Sequence, residues 1–301
     1  MNANERSSEA HRGGLVLGLL AYALWGVLPL YFKVIEVLPA AIIVAHRIVW
    51  SLPFLALLVL LSRGWPKVRA ALARRETVAI LFATALLIGA NWLLYVYAVT
   101  SDRILAASFG YYLNPLVNVL LGRFVLHERL TRLQWTAVAI AAVGISVLAA
   151  GALSQLWISL GLCATFALYG LLRKIVAADA VTGLAIETAI LFPLALFWLA
   201  WRSSQGIAVF GGSEMLTALL LLAGIVSTTP LLLFTAAAKR LQYSTLGMLQ
   251  FIAPTLQFMI AVIYGEHVGL AHAIAFPAIW LALALYVSAL VRAPRLPQPP
   301  E

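Results

Sequence analysis

Apolar residues run along this chain in long blocks. Short polar gaps divide the blocks into ten windows, roughly 14–32, 38–61, 77–99, 104–124, 133–151, 156–172, 181–201, 214–237, 243–264 and 268–291. Each is close to the about 20 residues that a helix needs to cross the about 30 Å hydrocarbon core of a bilayer. A membrane barrel would instead alternate apolar and polar positions in segments of about 10 residues, a pattern this chain lacks. The expectation is an all-α membrane protein with ten transmembrane helices. The polar residues 1–13 and the Pro-rich residues 292–301 fall outside the membrane, with irregular chain expected from Pro294 onward. No small-residue cleavage site closes the first window, so it reads as a span and not as a leader removed on export.

Composition agrees with this reading. Hydrophobic residues make up 63% of the 301 and charged residues only 10%, with a mean hydropathy of +1.00, whereas soluble domains carry about 25% charged residues. The formal charge of +9 would suit a nucleic-acid partner if Lys and Arg shared one face. They lie instead in the gaps between windows, where basic residues report orientation. With the N-terminus in the cytoplasm, the inner segments hold 16 of the 20 Lys and Arg, and the outer gaps hold only Lys33, Arg103 and Arg202. Both termini are therefore predicted to be cytoplasmic. The single cysteine, Cys163, lies inside an apolar window, which leaves packing as its role and excludes an intrachain disulfide.

The chain also resembles itself. Ala23-Leu24-Trp25-Gly26 parallels Ala167-Leu168-Tyr169-Gly170, and Ser108-Phe109-Gly110 parallels Thr245-Leu246-Gly247. Pro115 pairs with Pro254 and Glu128 with Glu266, at offsets of about 140. Two repeats are predicted, 14–151 and 156–291. Five spans per repeat is an odd number, so the second must lie upside down relative to the first, a design that builds a midplane site open to either side in turn.

One residue stands out against this background. Arg47 sits inside the second window, where a charge costs about 2.5–3.5 kcal/mol and is kept when it faces a polar cavity or a partner. Guanidinium grips carboxylate or phosphate through two parallel hydrogen bonds, so Arg47 is a candidate cargo group. His46 is a neighbour able to bind cargo or exchange protons. The acid well inside a span is Glu187, which aligns with Arg47 when Pro53 and Pro193 are matched. An Arg47–Glu187 pair, a substrate role and a proton role all fit. Tyr22 and Trp50 are candidate cavity walls. Asn91 and Tyr95, Tyr111 and Asn114, and Gln250 are candidate polar lining, with Asn118 read as glue between helices. Pro115, Pro230 and Pro254 are candidate kinks around which gates bend. His127 and Glu128 fall near span ends, where solvated loop charges are expected, and Trp65 is assigned to the interface belt.

Several motifs together resemble the EamA-type branch of the drug/metabolite transporter superfamily, and more narrowly the RarD-type, chloramphenicol-sensitivity permeases of bacterial inner membranes. They are Ala21-Tyr22, Trp25-Gly26, Tyr31-Phe32-Lys33, His46-Arg47, Trp50-Ser51, Asn91-Trp92, Gly110-Tyr111-Tyr112-Leu113-Asn114-Pro115-Leu116, Ser244-Thr245-Leu246-Gly247 and Tyr264-Gly265-Glu266. The resemblance spans residues 14–291 and implies a ten-helix inverted fold. No zinc-protease pair, nucleophile elbow or phosphate loop is found, so neither an enzyme nor a cofactor or metal is expected. The functional expectation is a secondary transporter of a small polar or amphipathic metabolite, anionic ones included, with proton coupling open. A passive channel and a non-transporting scaffold are the alternatives.

Overall fold

A computed structural model of the chain describes residues 3–35, 37–101, 103–149, 156–207, 209–210, 212–264 and 269–292. The described residues form α-helices and no strand. In order they are α1 (Ala3–Val34), α2 (Ala40–Leu61), α3 (Trp65–Leu72), α4 (Arg75–Thr100), α5 (Ile104–Phe124), α6 (Arg132–Ala149), α7 (Leu156–Ile175), α8 (Ala180–Ser204), α9 (Glu214–Ala238), α10 (Tyr243–Leu249), α11 (Ile252–Ile263) and α12 (Leu270–Arg292). Among them α1, α2, α4, α7, α8, α9 and α12 are long and apolar enough to cross a bilayer, which makes this a multi-pass membrane protein. Glu266, Asp102, the joint between the two expected repeats and the C-terminal tail lie outside the described residues.

Local chemistry explains where several helices start. The Asp179 carboxylate accepts the Thr182 N–H at 2.8 Å and caps α8, and the Ser213 hydroxyl accepts the Leu216 N–H at 3.2 Å to cap α9. Thr131 and Gln134 exchange backbone and side-chain bonds of 2.8 and 3.3 Å at the start of α6, a capping box that satisfies two otherwise unpaired N–H groups.

One window behaves differently from expectation. Residues 243–264 fold as two helices, α10 and α11, parted at Gln250–Phe251. Pro254 has no N–H to give the Gln250 carbonyl, and that carbonyl is met instead by Ala253 N–H in a tighter turn. The proline then sits in the first turn of α11, where its ring is tolerated. The helices α5 and α9 run on without interruption through Pro115 and Pro230.

Packing joins helices distant in sequence. α2 lies against α8 and α9, α1 against α9 and α11, α4 and α5 against α7, α5 also against α10, and α6 against α12. Ile42 and Ala45 near the start of α2 meet Ala195 and Leu199 late in α8, while Val59 near its end shares a cluster with Ile186 early in α8. The α2–α8 pair is thus antiparallel. The α2–α9 contact is tight at Gly224, where an added Cβ would lie 2.2 Å from the Trp50 carbonyl carbon. Gly14 and Gly18 seat α1 in a similar way against Leu241 and Leu249. A central aromatic cluster of Tyr22, Trp25, Phe166, Tyr169 and Phe234 fills the space between α1, α7 and α9.

Candidate functional site

Arg47 is the eighth residue of α2, so it lies about 10 Å along that helix at 1.5 Å per residue. Its Nε donates to Ser227 Oγ of α9 at 2.7 Å. The guanidinium carbon stands 5.4 Å from the Phe32 ring centre and 5.0 Å from that of Trp92, positions in which an aromatic face attracts a cation. Tyr31, Tyr95 and Tyr111 are within electrostatic reach. Among the described residues the ion pairs are Lys67–Asp179 and Arg173–Glu187, so no described carboxylate is paired with Arg47. Phe32, Arg47, Trp92 and Tyr111 are only half-buried and Tyr95 is exposed. The result is a half-open chamber with aromatic sides and one fixed positive charge.

Below the Arg47–Ser227 contact the space narrows to a cavity of about 20 Å³ lined by Ile48, Ser51, Trp92, Glu187, Ser227 and Thr228, among others. That is room for about one water molecule. Ser51 and Thr228 bridge α2 and α9 there through a hydroxyl–hydroxyl bond of 2.6 Å, and Ser51 also donates to the Arg47 carbonyl. Ser51, Ser227 and Thr228 thus stand between Arg47 and Glu187, among the apolar side chains of Ile88, Leu184, Leu191 and Leu231.

His46 faces away from this chamber. Its Nδ1 accepts the Trp50 indole N–H at 3.1 Å and its Nε2 lies 2.7 Å from the Val209 carbonyl. Nδ1 must be bare to accept, so Nε2 carries the proton and donates. Both nitrogens of this buried imidazole are occupied, and it meets the Phe210 ring edge-on with centroids 4.9 Å apart. Trp50 is likewise committed to His46. Tyr22, expected to line a cavity wall, is instead sealed in the aromatic cluster, with its hydroxyl on the Leu246 carbonyl at 3.0 Å.

Glu187 is not the partner of Arg47. Its Oε1 takes the Thr84 hydroxyl at 2.6 Å and lies 3.4 Å from Arg173 Nη1, and its Oε2 takes the Tyr169 hydroxyl at 3.4 Å. The reason is geometric. In an antiparallel α2–α8 pair, equivalent positions near the helix starts lie at opposite ends of the contact, so Arg47 and Glu187 are held apart while Glu187 meets the last turn of α7. Arg173 is fully buried. Its Nη2 reaches the Asp179 and Ala180 carbonyls at 3.4 and 3.3 Å, and its guanidinium fills the space left by Gly183, where an added Cβ would be 1.8 Å from Nη1. By sequence Arg173 looks like one more loop charge. The signal that could have identified it is Gly183 four residues before an intramembrane acid.

Asn91 ties three helices: its Nδ2 donates to the Leu162 carbonyl at 3.0 Å and to Thr165 Oγ1 at 2.9 Å, and its Oδ1 accepts from the Tyr111 hydroxyl at 3.2 Å. Asn118 Nδ2 donates to Gln250 Oε1 at 3.0 Å across α5 and α10, which places Gln250 at the helix break, away from Arg47. Asn114 is fully buried, and neither amide atom meets a hydrogen-bond partner among the described residues. The structure thus gathers Arg47, Tyr95 and Tyr111, adds Phe32, Trp92 and Ser227, and sets Tyr22, His46, Asn114 and Gln250 elsewhere. No three His, Cys, Asp or Glu side chains of the described residues gather in one place as metal ligands would.

Residues 12–150 match the EamA-like transporter family. The chain is 44% identical to Protein RarD of Escherichia coli (strain K12) over 92% of this chain and 94% of that one. It is 43% identical to an uncharacterized transporter of Vibrio cholerae, covering 91% of each. The Chloramphenicol-sensitive protein RarD of Pseudomonas aeruginosa is 35% identical over 90% of this chain and 92% of its own. The chain belongs to the EamA-like transporter family, on its RarD-like branch. A crystal structure of a protein only 18% identical covers 94% of this chain and 100% of its own with a TM-score of 0.71, so this fold persists where little sequence similarity remains.

Membership gives the charged chamber its context. The EamA relatives are named as transporters or as RarD and not as enzymes, and the chamber suits that, since it offers a cation, aromatic faces and hydroxyls but no nucleophile with a base beside it.

Proposed function

We propose that this chain is a secondary transporter of the bacterial cytoplasmic membrane that moves a small polar or amphipathic metabolite bearing an anionic group, by alternating access. The reading takes the ten apolar windows as ten spans in two inverted repeats of five, with both termini cytoplasmic. The packing pattern supports it. Exchanging α1 with α7, α2 with α8, α4 with α9, α5 with α10–α11 and α6 with α12 turns the α1–α9 contact into α7–α4, α2–α9 into α8–α4 and α5–α7 into α11–α1, all of which occur. A two-fold relation between halves accounts for those coincidences, and the antiparallel α2–α8 pair accords with its axis lying in the membrane plane.

The observation that carries the cargo reading is Arg47: a guanidinium within the bundle that pairs with none of the described carboxylates, held by Ser227 and flanked by Phe32 and Trp92. A permanent cation kept in such a place, held by a hydroxyl and aromatic faces, suits a ligand that brings a countercharge. The narrow cavity beneath it would have to widen for cargo to pass, and the α2–α9 seam at Ser51, Gly224 and Thr228 is where it would open. Glu187 belongs in this reading to the fold, as the fixed partner of Arg173. The test is a thermal-shift screen of the purified protein with carboxylates, phosphate monoesters, zwitterions and neutral amphiphiles including chloramphenicol, comparing wild type with Arg47→Gln. A ligand at a hundred times its Kd stabilises the native state by about 2.7 kcal/mol. Anionic ligands should stabilise wild type and not the variant; equal shifts in both would place binding elsewhere.

A further inference from the structure

A second basic site lies outside the bundle core, where α5 turns into α6. Arg123, His127, Arg129, Leu130 and Trp135 line a cleft of about 500 Å³. We propose that this cleft holds the phosphate of an anionic membrane phospholipid, with the acyl chains lying along the adjacent apolar surface.

The loop is built to present positive charge. Between Gly122 and Trp135 the one acidic residue is Glu128, and its carboxylate is turned inward, where it accepts the N–H groups of Tyr243 and Ser244 and the Ser244 hydroxyl, the latter two at 2.9 and 2.6 Å. There it caps the start of α10 and is lost to the loop. The loop folds back so that Glu128 N–H reaches the Gly122 carbonyl at 2.9 Å, and His127 takes a positive φ of 56°, a conformation uncommon for a residue other than glycine. His127 and Arg129 are exposed and Arg123 is half-buried. None of the three is in an ion pair with a described carboxylate. Arg123 makes one long bond of 3.5 Å to the Glu128 carbonyl. Two guanidinium groups in a cleft, with the local acid withdrawn, are complementary to phosphate, which arginine grips through paired donors.

The surroundings favour a lipid over a soluble anion. Phe124 is 67% exposed and Val125 52%, directly beside Arg123, and Trp135 is 37% exposed at the mouth of the cleft. Apolar side chains exposed beside a Trp and a basic cleft are what a bilayer interface presents. The same end of the molecule carries Lys174 and Arg240 beside the α9–α10 turn, and basic residues gather on the side of the anionic cytoplasmic leaflet.

The experiment is native mass spectrometry of the full chain released from nanodiscs of phosphatidylethanolamine and phosphatidylglycerol. It is paired with melting curves in detergent with added phosphatidylglycerol, phosphatidylcholine or free glycerol phosphate. Each basic side chain near an anionic surface contributes a factor of about five in binding. Arg123→Gln with Arg129→Gln should therefore bind phosphatidylglycerol about 25-fold more weakly, and the single Arg129→Gln, whose side chain is exposed, about fivefold. Wild type should keep phosphatidylglycerol in the spectrum and melt higher with it, and neither phosphatidylcholine nor glycerol phosphate should reproduce the shift. Three results would overturn the proposal: phosphatidylglycerol retained equally by wild type and both variants; glycerol phosphate stabilising as well as the lipid, which would make the site one for a soluble anion; or an equal loss in Arg69→Gln with Arg74→Gln, which would reduce the effect to general surface charge.

Discussion

The Arg173–Glu187 pair makes a quantitative claim about the fold. Glu187→Leu strips the buried Arg173 of its countercharge and leaves two carbonyl contacts of 3.3 and 3.4 Å to carry a full positive charge. Breaking a buried pair from one side costs about 3–5 kcal/mol, because the survivor is a charge with nothing opposite it. Replacing both partners by apolar residues of similar volume is near neutral, or stabilising, in comparable cases. Arg173→Met combined with Glu187→Leu should thus recover most of the loss, a coupling of at least about 2 kcal/mol. Arg47→Met combined with Glu187→Leu should be additive within about 0.5 kcal/mol, as expected for side chains with no shared partner. Equilibrium unfolding of the purified protein in mixed detergent micelles, followed by tryptophan fluorescence, gives the four free energies of each cycle. Additive losses for Arg173 and Glu187, or a strong coupling of Glu187 to Arg47, would refute the assignment of Glu187 to the fold.

Other consequences follow from close contacts. Gly183→Ala places a methyl group where Arg173 Nη1 now lies; it should destabilise wild type by about 1–3 kcal/mol but be tolerated in an Arg173→Met background, as unfolding midpoints would show. Gly224→Ala forces α2 and α9 apart at the Trp50 backbone, a contact no side-chain rotation relieves. It should lower the melting temperature and abolish ligand-induced shifts together. Lys239 caps the carbonyls of Lys174 and Val176 with its ammonium; burial, then the neighbouring charges of Arg173 and Lys174, depress its pKa to about 8. The unfolded chain, with an ordinary lysine near 10.4, binds more protons between those values, so this group's contribution to stability rises with pH from about 8 to about 10. The wild-type melting temperature should climb across that window more than that of Lys239→Met.

Seven of the windows return as helices long and apolar enough to cross a bilayer, and they are readable because a bilayer imposes one length on every crossing helix. The break between α10 and α11 is less visible, since Gln250 and Phe251 continue an apolar run and Pro254 marks a break, a kink or nothing with equal ease. At the candidate site, Arg47 is conspicuous for its price in an apolar window, and Tyr95 and Tyr111 follow from helical spacing. Trp92, Phe32 and Ser227 come from three other helices, and nothing local announces that they converge. Arg173 was hidden by its position at a helix end, where buried and solvated arginines look the same. Its burial depends on a glycine ten residues on and a carboxylate in the next helix. Glu128 is the opposite case: it reads as a loop charge, but its cap is the start of a helix 115 positions away.

The central claim is that the space beneath Arg47 opens to each side of the membrane in turn, and accessibility of position 227 tests it most directly. With Cys163→Ser removing the single native thiol, Ser227→Cys puts a reactive group where Arg47 now meets α9. Its labelling by a membrane-impermeant methanethiosulfonate would be timed in right-side-out and inside-out vesicles. The account predicts labelling from both faces, slowed by any ligand that stabilises wild type but not Arg47→Gln. Labelling confined to one face, whatever ligand is present, would contradict it.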